Sequence, residues 1–191
     1  MHGPGTINFT PDESSYTDLN RITHFILMEQ AHNGDLFDYS LGVKSAMGEN
    51  LARHFFKQIL DAVDYLHSKA KVVHRDLKLE NILLDKNFEI KLCDFTLSKT
   101  LAEGSMIGVF YTNAGTELYM APEVHEGKPY RGVAADIFAL GVTLFALVTG
   151  VMPFEKRAEK DDMLYSFIYR GEWDSYWECL SKMYNGEKQF N

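Results

Sequence analysis

The clearest periodic pattern in the chain predicts a long amphipathic helix over Glu49–Lys69. Apolar residues recur there every three or four positions, at Leu51, Phe55, Ile59, Ala62, Val63 and Leu66. This spacing places them on one face of a helix about 30 Å long. A helix with one apolar face packs that face against a core, so the pattern indicates a globular fold.

A second apolar run, Asp136–Thr149, predicts a buried helix headed by its aspartate and ended by Gly150 and Pro153. Its uninterrupted part, Ile137–Val148, is about 12 residues long, whereas a membrane-spanning helix needs roughly 20. We therefore expect a core helix rather than a membrane span. The residues of Asp161–Arg170 predict a further amphipathic helix.

Short apolar runs separated by polar turns predict small strands at Val72–Val73, Ile82–Leu84 and Ile90–Leu92. Residues 97–118 show no sustained period and contain several glycines. A structureless stretch of this length inside a domain is usually functional or mobile. The patterns together favour an α+β, mainly helical chain with a surface segment that changes state.

The beginning of the chain predicts little regular structure. Residues 1–20 are rich in Gly, Pro, Asp, Ser and Thr and show no period. Ile22–Glu29 has the β-branched and aromatic content of a strand, and His32–Gly34 has the composition of a turn. Met1–Asp12 lacks the apolar segment of a signal peptide.

Composition and charge narrow the classes of partner. The 191 residues are 46% hydrophobic and 24% charged, which is typical of a folded protein. The net charge of −8 repels phosphate backbones and anionic lipid, so we expect neither a nucleic acid nor a membrane as partner. The two cysteines, Cys93 and Cys179, are too few for a disulfide framework. They favour a reducing compartment, the cytoplasm first and the nucleus as the alternative.

Three ordered motifs carry the candidate chemistry. The segment His74–Asn81 reads H-R-D-L-K-L-E-N and matches the pattern H-R-D-L-x-x-x-N at every fixed position. Asp94–Thr96 (D-F-T) follows, and Ala121–Glu123 (A-P-E) comes after the irregular stretch. With these motifs in this order, the sequence resembles the eukaryotic protein kinases over about residues 22–185. Lys78 and Thr116 are at positions that resemble those of the serine/threonine branch. The K-L-E-N sequence is similar to that of calcium/calmodulin-dependent and energy-sensing kinases.

The resemblance implies an organisation in two parts. Residues 1–28 are expected to form a disordered start and a remnant of the small-lobe sheet that leads to the hinge. Residues 29–191 are expected to form the large, C-terminal lobe, incomplete at its C-terminus.

The resemblance also assigns catalytic roles to a small set of side chains. Asp76 would accept the proton of a substrate hydroxyl, Lys78 would neutralise the transferring phosphate, and Thr116 would complete the catalytic set. Asn81 and Asp94 would hold Mg²⁺, which prefers a few oxygen ligands together with phosphates. On its own, Asp76 or Asn81 would be interpreted as a solvated loop residue or a turn former.

A nucleotide site is implied as well, with ATP as the cofactor. The backbone of Glu29 and Ala31 would hydrogen-bond adenine, Asp35 would lie near the ribose, and Leu83 would form the floor below the base. Each position also has an ordinary structural interpretation, because a strand end, a helix N-cap and a core leucine fit the same residues.

Further positions gain structural or regulatory roles through the resemblance. Thr112 is a candidate phosphorylation site for an upstream kinase, with Arg75 as the partner of the phosphate. Asp136 would hold the backbone of the catalytic loop, although an aspartate at a helix start is most often an N-cap. Glu123 is a structural anchor in the family, and we expect it to lack its customary arginine partner in this chain. His67 is interpreted as a packed or capping histidine.

The sequence departs from the family pattern at two places. It contains neither a G-x-G-x-x-G loop nor a V-A-I-K-like segment, so we expect the isolated chain to be poorly active or inactive. Thr96 replaces the glycine of D-F-G, which should restrict flipping of that segment. The leading hypothesis is a kinase fragment that acts on protein substrates, and the alternative is a non-catalytic scaffold that binds protein partners.

Overall fold

The computed structural model describes residues 27–42, 46–101 and 108–184. Within these ranges the chain forms five α-helices, α1 (Glu49–Asp64), α2 (Pro122–His125), α3 (Gly132–Thr149), α4 (Met163–Arg170) and α5 (Trp173–Met183). It also forms six short strands, β1 (Val72–Val73), β2 (Ile82–Leu84), β3 (Ile90–Leu92), β4 (Lys99–Thr100), β5 (Val109–Phe110) and β6 (Tyr130–Arg131). The strands pair antiparallel as β1 with β4, β2 with β3 and β5 with β6. The α+β, mainly helical class is confirmed.

The core lies between α1 and α3. Buried apolar side chains from both helices and from the adjoining loops form one cluster, including Leu36, Phe55, Ile59, Val63, Leu77, Leu79, Leu84, Leu140 and Leu147. Among the helices of the described ranges, α3 is the one that is long and apolar enough to cross a membrane by length and composition alone. However, 44% of its residues are buried inside the fold. It packs against α1, β1 and β6, which fits the prediction of a core helix.

Three helix boundaries differ from the predicted ones. The core helix begins at Gly132, four residues earlier than predicted, so Asp136 lies inside α3 and not at its head. The first helix keeps α-helical geometry only to Asp64, and a wider π-helical turn, Tyr65–Ala70, completes the predicted segment. The last predicted helix begins at Met163, because the preceding aspartate lies outside it as the N-cap.

The prediction of a structureless stretch over residues 97–118 is wrong at two short strands and at the 3-10 helix Glu117–Tyr119. β4 pairs Thr100 with Val72, and β5 pairs Val109 with Arg131. Strands of two residues are too short to show a period of two, and their partners lie far away in sequence, so local pattern does not reveal them. Residues 102–107 of this stretch lie outside the described residues.

The predicted strand Ile22–Glu29 lies mostly outside the described residues, and its last part, from Leu27 onward, is exposed and irregular. The turn that follows is confirmed, with Gly34 at φ 73°, in the left-handed region that favours glycine. The amide of Asn33 donates to the carbonyl of Leu84, whose own amide donates to Gly34. This exchange ties the turn after Ala31 to β2.

Candidate active site

A buried carboxylate on α3 holds the loop that carries the first motif. The Asp136 side chain is 1% exposed and accepts hydrogen bonds from the backbone amides of His74, at 2.9 Å, and Arg75, at 2.8 Å. The imidazole of His67 lies 2.7 Å from the same carboxylate. The N-cap interpretation of Asp136 is therefore wrong, because the carboxylate serves the loop and not its own helix. Arg75 adopts φ 70°, an uncommon backbone conformation that these two hydrogen bonds hold in place.

Three of the predicted catalytic side chains contact the fourth, Asp76. Asp76 is 8% exposed, and its Oδ2 lies 3.0 Å from the ammonium of Lys78. The Thr116 hydroxyl donates to Asp76 Oδ1 at 2.8 Å, and the Asn81 amide nitrogen donates to the Asp76 carbonyl at 2.9 Å. The carboxylate is thereby neutralised by a cation and fixed in orientation, which suits a group that has to receive a proton at a defined place.

The threonine reaches this carboxylate because the chain passes very close to the catalytic loop just before it. Gly115 has φ 127°, and a Cβ atom there would lie 2.9 Å from the carbonyl oxygen of Arg75. Any larger residue would push the two segments apart. Thr116 also accepts a hydrogen bond from Lys78 at 2.7 Å, so one hydroxyl joins the acid and the cation.

The two predicted metal ligands lie on adjacent segments. The backbone amide of Cys93 donates to the Asn81 carbonyl at 3.0 Å, which places Asp94 directly beside that residue. The hydroxyl and amide of Thr96, and more weakly the charge of Lys78, hold the pKa of the exposed Asp94 carboxyl below its usual range. A carboxylate and an amide oxygen are ligands that fit Mg²⁺.

The donor set also defines which kind of metal site is possible. The described ranges contain no group of three or more His, Cys, Asp and Glu side chains that would hold a metal ion without help. Asn81 and Asp94 therefore fit a hard cation that takes most of its remaining ligands from phosphates and water, and they do not fit a closed structural metal centre.

The predicted nucleotide-site residues are partly brought together. Asp35 and Leu83 form an isolated antiparallel bridge, so the proposed ribose and base contacts are neighbours. Asp35 also has its ordinary structural role, because its Oδ1 accepts from the Asp38 amide at 3.0 Å. Ala31 is half-buried, whereas Glu29 is exposed and its carboxylate lies 3.4 Å from the ammonium of Lys91.

The candidate phosphorylation site lies directly against its predicted arginine. Arg75 Nη2 donates to the hydroxyl of Thr112 at 2.8 Å. The guanidinium carbon of Arg75 lies over the ring of Phe110, 5.2 Å from the centroid. The hydroxyl of Tyr130 donates to the Thr112 carbonyl at 3.0 Å. Arg75 is 8% exposed, and its Nε and Nη1 are buried without a hydrogen-bond partner among the described residues. The guanidinium that touches Thr112 therefore carries two nitrogens without a hydrogen-bond partner among the described residues.

The structure places Glu123 away from the catalytic side chains. It lies on α2 and lines an open groove of about 590 Å³ toward α4, together with Tyr165 and Tyr169. Burial, and next the negative charge of Glu123, raise the pKa of Tyr165. Glu123 therefore lines the groove between α2 and α4 and acts electrostatically on Tyr165.

Sequence reasoning missed two residues with structural roles, Tyr130 beside the candidate phosphorylation site and Asp162 before α4. Tyr130 anchors the Thr112 backbone, but a single tyrosine in a short polar segment gives no local signal for this role. Asp162 accepts from the backbone amides of Glu155, Lys156 and Tyr165 at 2.8–3.0 Å. An aspartate directly before an amphipathic run predicts a helix N-cap, so its hydrogen bond to the Tyr165 amide could have been predicted from the sequence.

Fold and site together define a class of protein. The central helix of this helical lobe holds a loop in place through a buried carboxylate, and the loop presents an acid, a lysine and an amide. These features define the large lobe of a protein kinase-like molecule. The family model described as "Protein kinase domain" matches residues 14–189. The chain belongs to the protein kinase domain family, and the family predicted from the motifs is confirmed.

Several curated kinases are similar to this chain. NUAK family SNF1-like kinase 2 of Homo sapiens is 49% identical over 135 residues, which cover 71% of this chain and 21% of that protein. CBL-interacting protein kinase 31 of Oryza sativa subsp. japonica is 39% identical over 165 residues, 86% of this chain and 35% of that protein. Carbon catabolite-derepressing protein kinase of Secale cereale is 47% identical over 131 residues, 69% of this chain and 25% of that protein. The chain spans between about a fifth and a third of the length of these relatives.

Proposed function

We propose that the chain is the hinge and large lobe of an ATP-dependent serine/threonine protein kinase, which transfers the ATP γ-phosphate to Ser and Thr hydroxyls of proteins. The observation that carries the proposal is the Thr116 hydroxyl, which donates to Asp76 at 2.8 Å and accepts from Lys78 at 2.7 Å. This contact unites the candidate base and the candidate phosphate-neutralising cation in one rigid unit. Few side chains are needed, since phosphoryl transfer depends mostly on positioning and electrostatic stabilisation.

Each member of this unit has one chemical task. Asp76 orients the substrate hydroxyl and accepts its proton, since both of its oxygens are already fixed by neighbours. Lys78 provides positive charge beside the transferred phosphoryl group. Asn81 locks the loop by its donation to the Asp76 carbonyl, so its side-chain oxygen is the atom left for a cation.

The same proposal assigns the cofactor residues. The Asn81 side-chain oxygen and the Asp94 carboxylate would hold Mg²⁺, which when bound neutralises the phosphate charge. Adenine is proposed to contact the backbone of Glu29 and Ala31 and the side chain of Leu83, with Asp35 near the ribose. The bridge between Asp35 and Leu83 supports this arrangement.

Regulation is proposed to act through Thr112. Phosphorylation by an upstream kinase would place a dianionic group beside the buried guanidinium of Arg75. The two unpartnered nitrogens of Arg75 support this assignment, because they would gain charge-assisted hydrogen bonds. The two-cysteine composition supports a reducing compartment as the place of action, with the cytoplasm proposed first.

The test is ATP-dependent phosphorylation of Ser/Thr peptides by the full-length protein that contains this chain. We expect turnover that is lost in Asp76→Asn and retained in Asp64→Asn, an exposed carboxylate elsewhere on the surface. The 191-residue chain alone should transfer phosphate negligibly, because the nucleotide is not positioned without a phosphate-covering loop. A full-length protein that binds partners but never turns over ATP would overturn the proposal and establish the scaffold alternative.

A further inference from the structure

Two polar side chains meet where two helices present mainly apolar residues to each other. His67 follows the buried residues Ile59 and Val63 at intervals of four, and its side chain is only 12% exposed. Asp136 lies inside the apolar helix α3. The ring nitrogen Nε2 of His67 lies 2.7 Å from Asp136 Oδ2. Each side chain is therefore a polar exception in its own surroundings, and each has the other as a partner.

The proton in this contact lies on the histidine. A carboxylate has only acceptors, and Asp136 Oδ2 also accepts from the backbone amide of His74 at 2.9 Å. His67 Nε2 is therefore the donor. Asp136 Oδ1 accepts from the backbone amide of Arg75 at 2.8 Å. Among the described residues, His67 provides the one side-chain donor to this carboxylate, and the other two donors belong to the catalytic loop itself.

The contact joins the end of the first helical segment to the start of the catalytic loop. His67 and His74 donate to the same oxygen, Asp136 Oδ2. Between them the chain completes the π-helical turn, passes Lys71 at φ 56° and continues through β1. π-Helical turns are rare and are frequent at functional sites. Because one oxygen receives both donors, the π-helical turn and the loop are fixed relative to each other.

The orientation of the Asp136 carboxylate depends on His67. The carboxylate is 1% exposed, so water does not replace a lost donor easily. A hydrogen bond to a charged group is stronger than one between neutral groups, and this one is made by a side chain that packing already holds. Without it, the carboxylate is free to turn away from the amides of His74 and Arg75. Arg75, at φ 70°, would then lose the contacts that hold its backbone directly before Asp76.

We propose that His67 is a positioning residue that acts through Asp136. Its Nε2–H holds the carboxylate in the orientation that receives the amides of His74 and Arg75, and this orientation sets the place of Asp76. The inference rests on the proposed function, since it takes Asp76 as the group that accepts the substrate proton. It gives the His67 ring a task beyond packing or helix capping.

Two amide variants distinguish the two ring nitrogens. A glutamine places its amide nitrogen near the position of His67 Nε2, whereas an asparagine places it near Nδ1. Hydrogen exchange of the His74 and Arg75 amides is measured in the 191-residue chain and divided by the exchange rate of the Ile59 amide in α1. We expect this ratio to rise about tenfold in His67→Leu and His67→Asn, and less than about threefold in His67→Gln. A loss of general stability alone would accelerate all three amides and leave the ratio unchanged.

Peptide phosphorylation by the full-length protein gives the second readout. We expect kcat to fall about tenfold in His67→Leu and His67→Asn, with little change in the KM for ATP, and to stay within about threefold in His67→Gln. His54→Leu is the control, because His54 is an exposed histidine of α1, and it should leave both quantities unchanged.

An unchanged exchange ratio in His67→Leu would overturn the proposal, as would a His67→Gln variant that behaves as His67→Leu does. The exchange measurement uses no ATP. A raised ratio in a protein without kinase activity would therefore overturn the proposed function and support the hold of His67 on the loop.

Discussion

The Thr116 hydroxyl donates a 2.8 Å hydrogen bond to Asp76, although the two residues are forty positions apart in the chain. The segment that carries the threonine reaches the catalytic loop only because Gly115 passes against the Arg75 carbonyl. Loss of this hydroxyl frees both the carboxylate and the ammonium of Lys78. In the full-length protein, we expect Thr116→Val to lower kcat about 10- to 100-fold, the value of one hydrogen bond to a charged group.

Steady-state kinetics with a Ser/Thr peptide measure this effect, with little change expected in the KM for ATP. Thr116→Ser keeps the hydroxyl and should retain most activity. Thr100→Val provides a matched control on an exposed strand. Wild-type kcat in Thr116→Val would remove the threonine from the catalytic set.

The second prediction concerns the contribution of Asp136 to the free energy of unfolding. Its carboxylate accepts from two backbone amides and contacts His67 while almost fully buried. We expect Asp136→Asn to lower the free energy of unfolding by about 3 kcal/mol, because the new amide nitrogen is unable to accept one of these bonds. Asp136→Ala should cost more, since it leaves every donor unsatisfied.

Urea unfolding of the 191-residue chain, followed by circular dichroism, gives these values. Asp64→Asn is the control, because an exposed substitution of this kind changes stability by less than about 0.5 kcal/mol. Equal stability of Asp136→Asn and Asp64→Asn would show that the catalytic loop is held by other contacts.

The sequence predicted those elements whose defining interactions are local in the chain, and it did not predict those that depend on distant residues. The face of α1 is visible in the sequence because residues three and four apart share one side of a helix, and the motif His74–Asn81 is contiguous. The pairs of β1 with β4 and β5 with β6 join residues separated by many positions, and each strand is two residues long. No local period exists at that length, so the sequence alone leaves these pairs undetected.

The site shows the same division. Motif order predicted which side chains matter, and the resemblance named Thr112 and Arg75 as partners, but the contacts with Tyr130 and Phe110 depend on the tertiary fold. The interpretation of Asp136 as an N-cap was wrong because the helix begins one turn earlier, at Gly132. An aspartate inside an apolar helix is costly to bury, and its hydrogen bonds to a distant loop offset that cost.

Tyr176 makes stability depend on alkaline pH. Its hydroxyl donates to the Pro153 carbonyl at 2.9 Å, and burial, followed by the charges of Tyr184 and Asp162, raises its pKa above the ordinary value of 10. The folded chain keeps this proton after the unfolded chain has begun to lose it. The contribution of Tyr176 is therefore complete below pH 10 and declines as the pH rises further.

We expect the free energy of unfolding to fall as the pH rises above 10, and to fall less steeply in Tyr176→Phe. At pH 8 the same variant should be about 1 kcal/mol less stable, because it lacks one hydrogen bond. Tyr111→Phe is the control, since Tyr111 is 73% exposed and water surrounds it in both states. Parallel pH profiles of Tyr176→Phe and the wild type would contradict the prediction.

Arg75 and Thr112 give the last prediction. The buried Nε and Nη1 of Arg75 lack partners among the described residues, and buried unsatisfied donors reduce stability. A phosphate on Thr112 adds strong acceptors beside a guanidinium that already touches the hydroxyl at 2.8 Å. We expect phosphorylation of Thr112 to raise the Tm of the 191-residue chain by about 4 °C, the shift given by roughly 1–2 kcal/mol in a chain of this size.

Calorimetry of the chain with and without phosphothreonine at position 112 measures this shift in Tm. The rise should vanish in the Arg75→Met background and should be absent for phosphothreonine at Thr100, and an equal rise in Arg75→Met would show that the phosphate finds other partners.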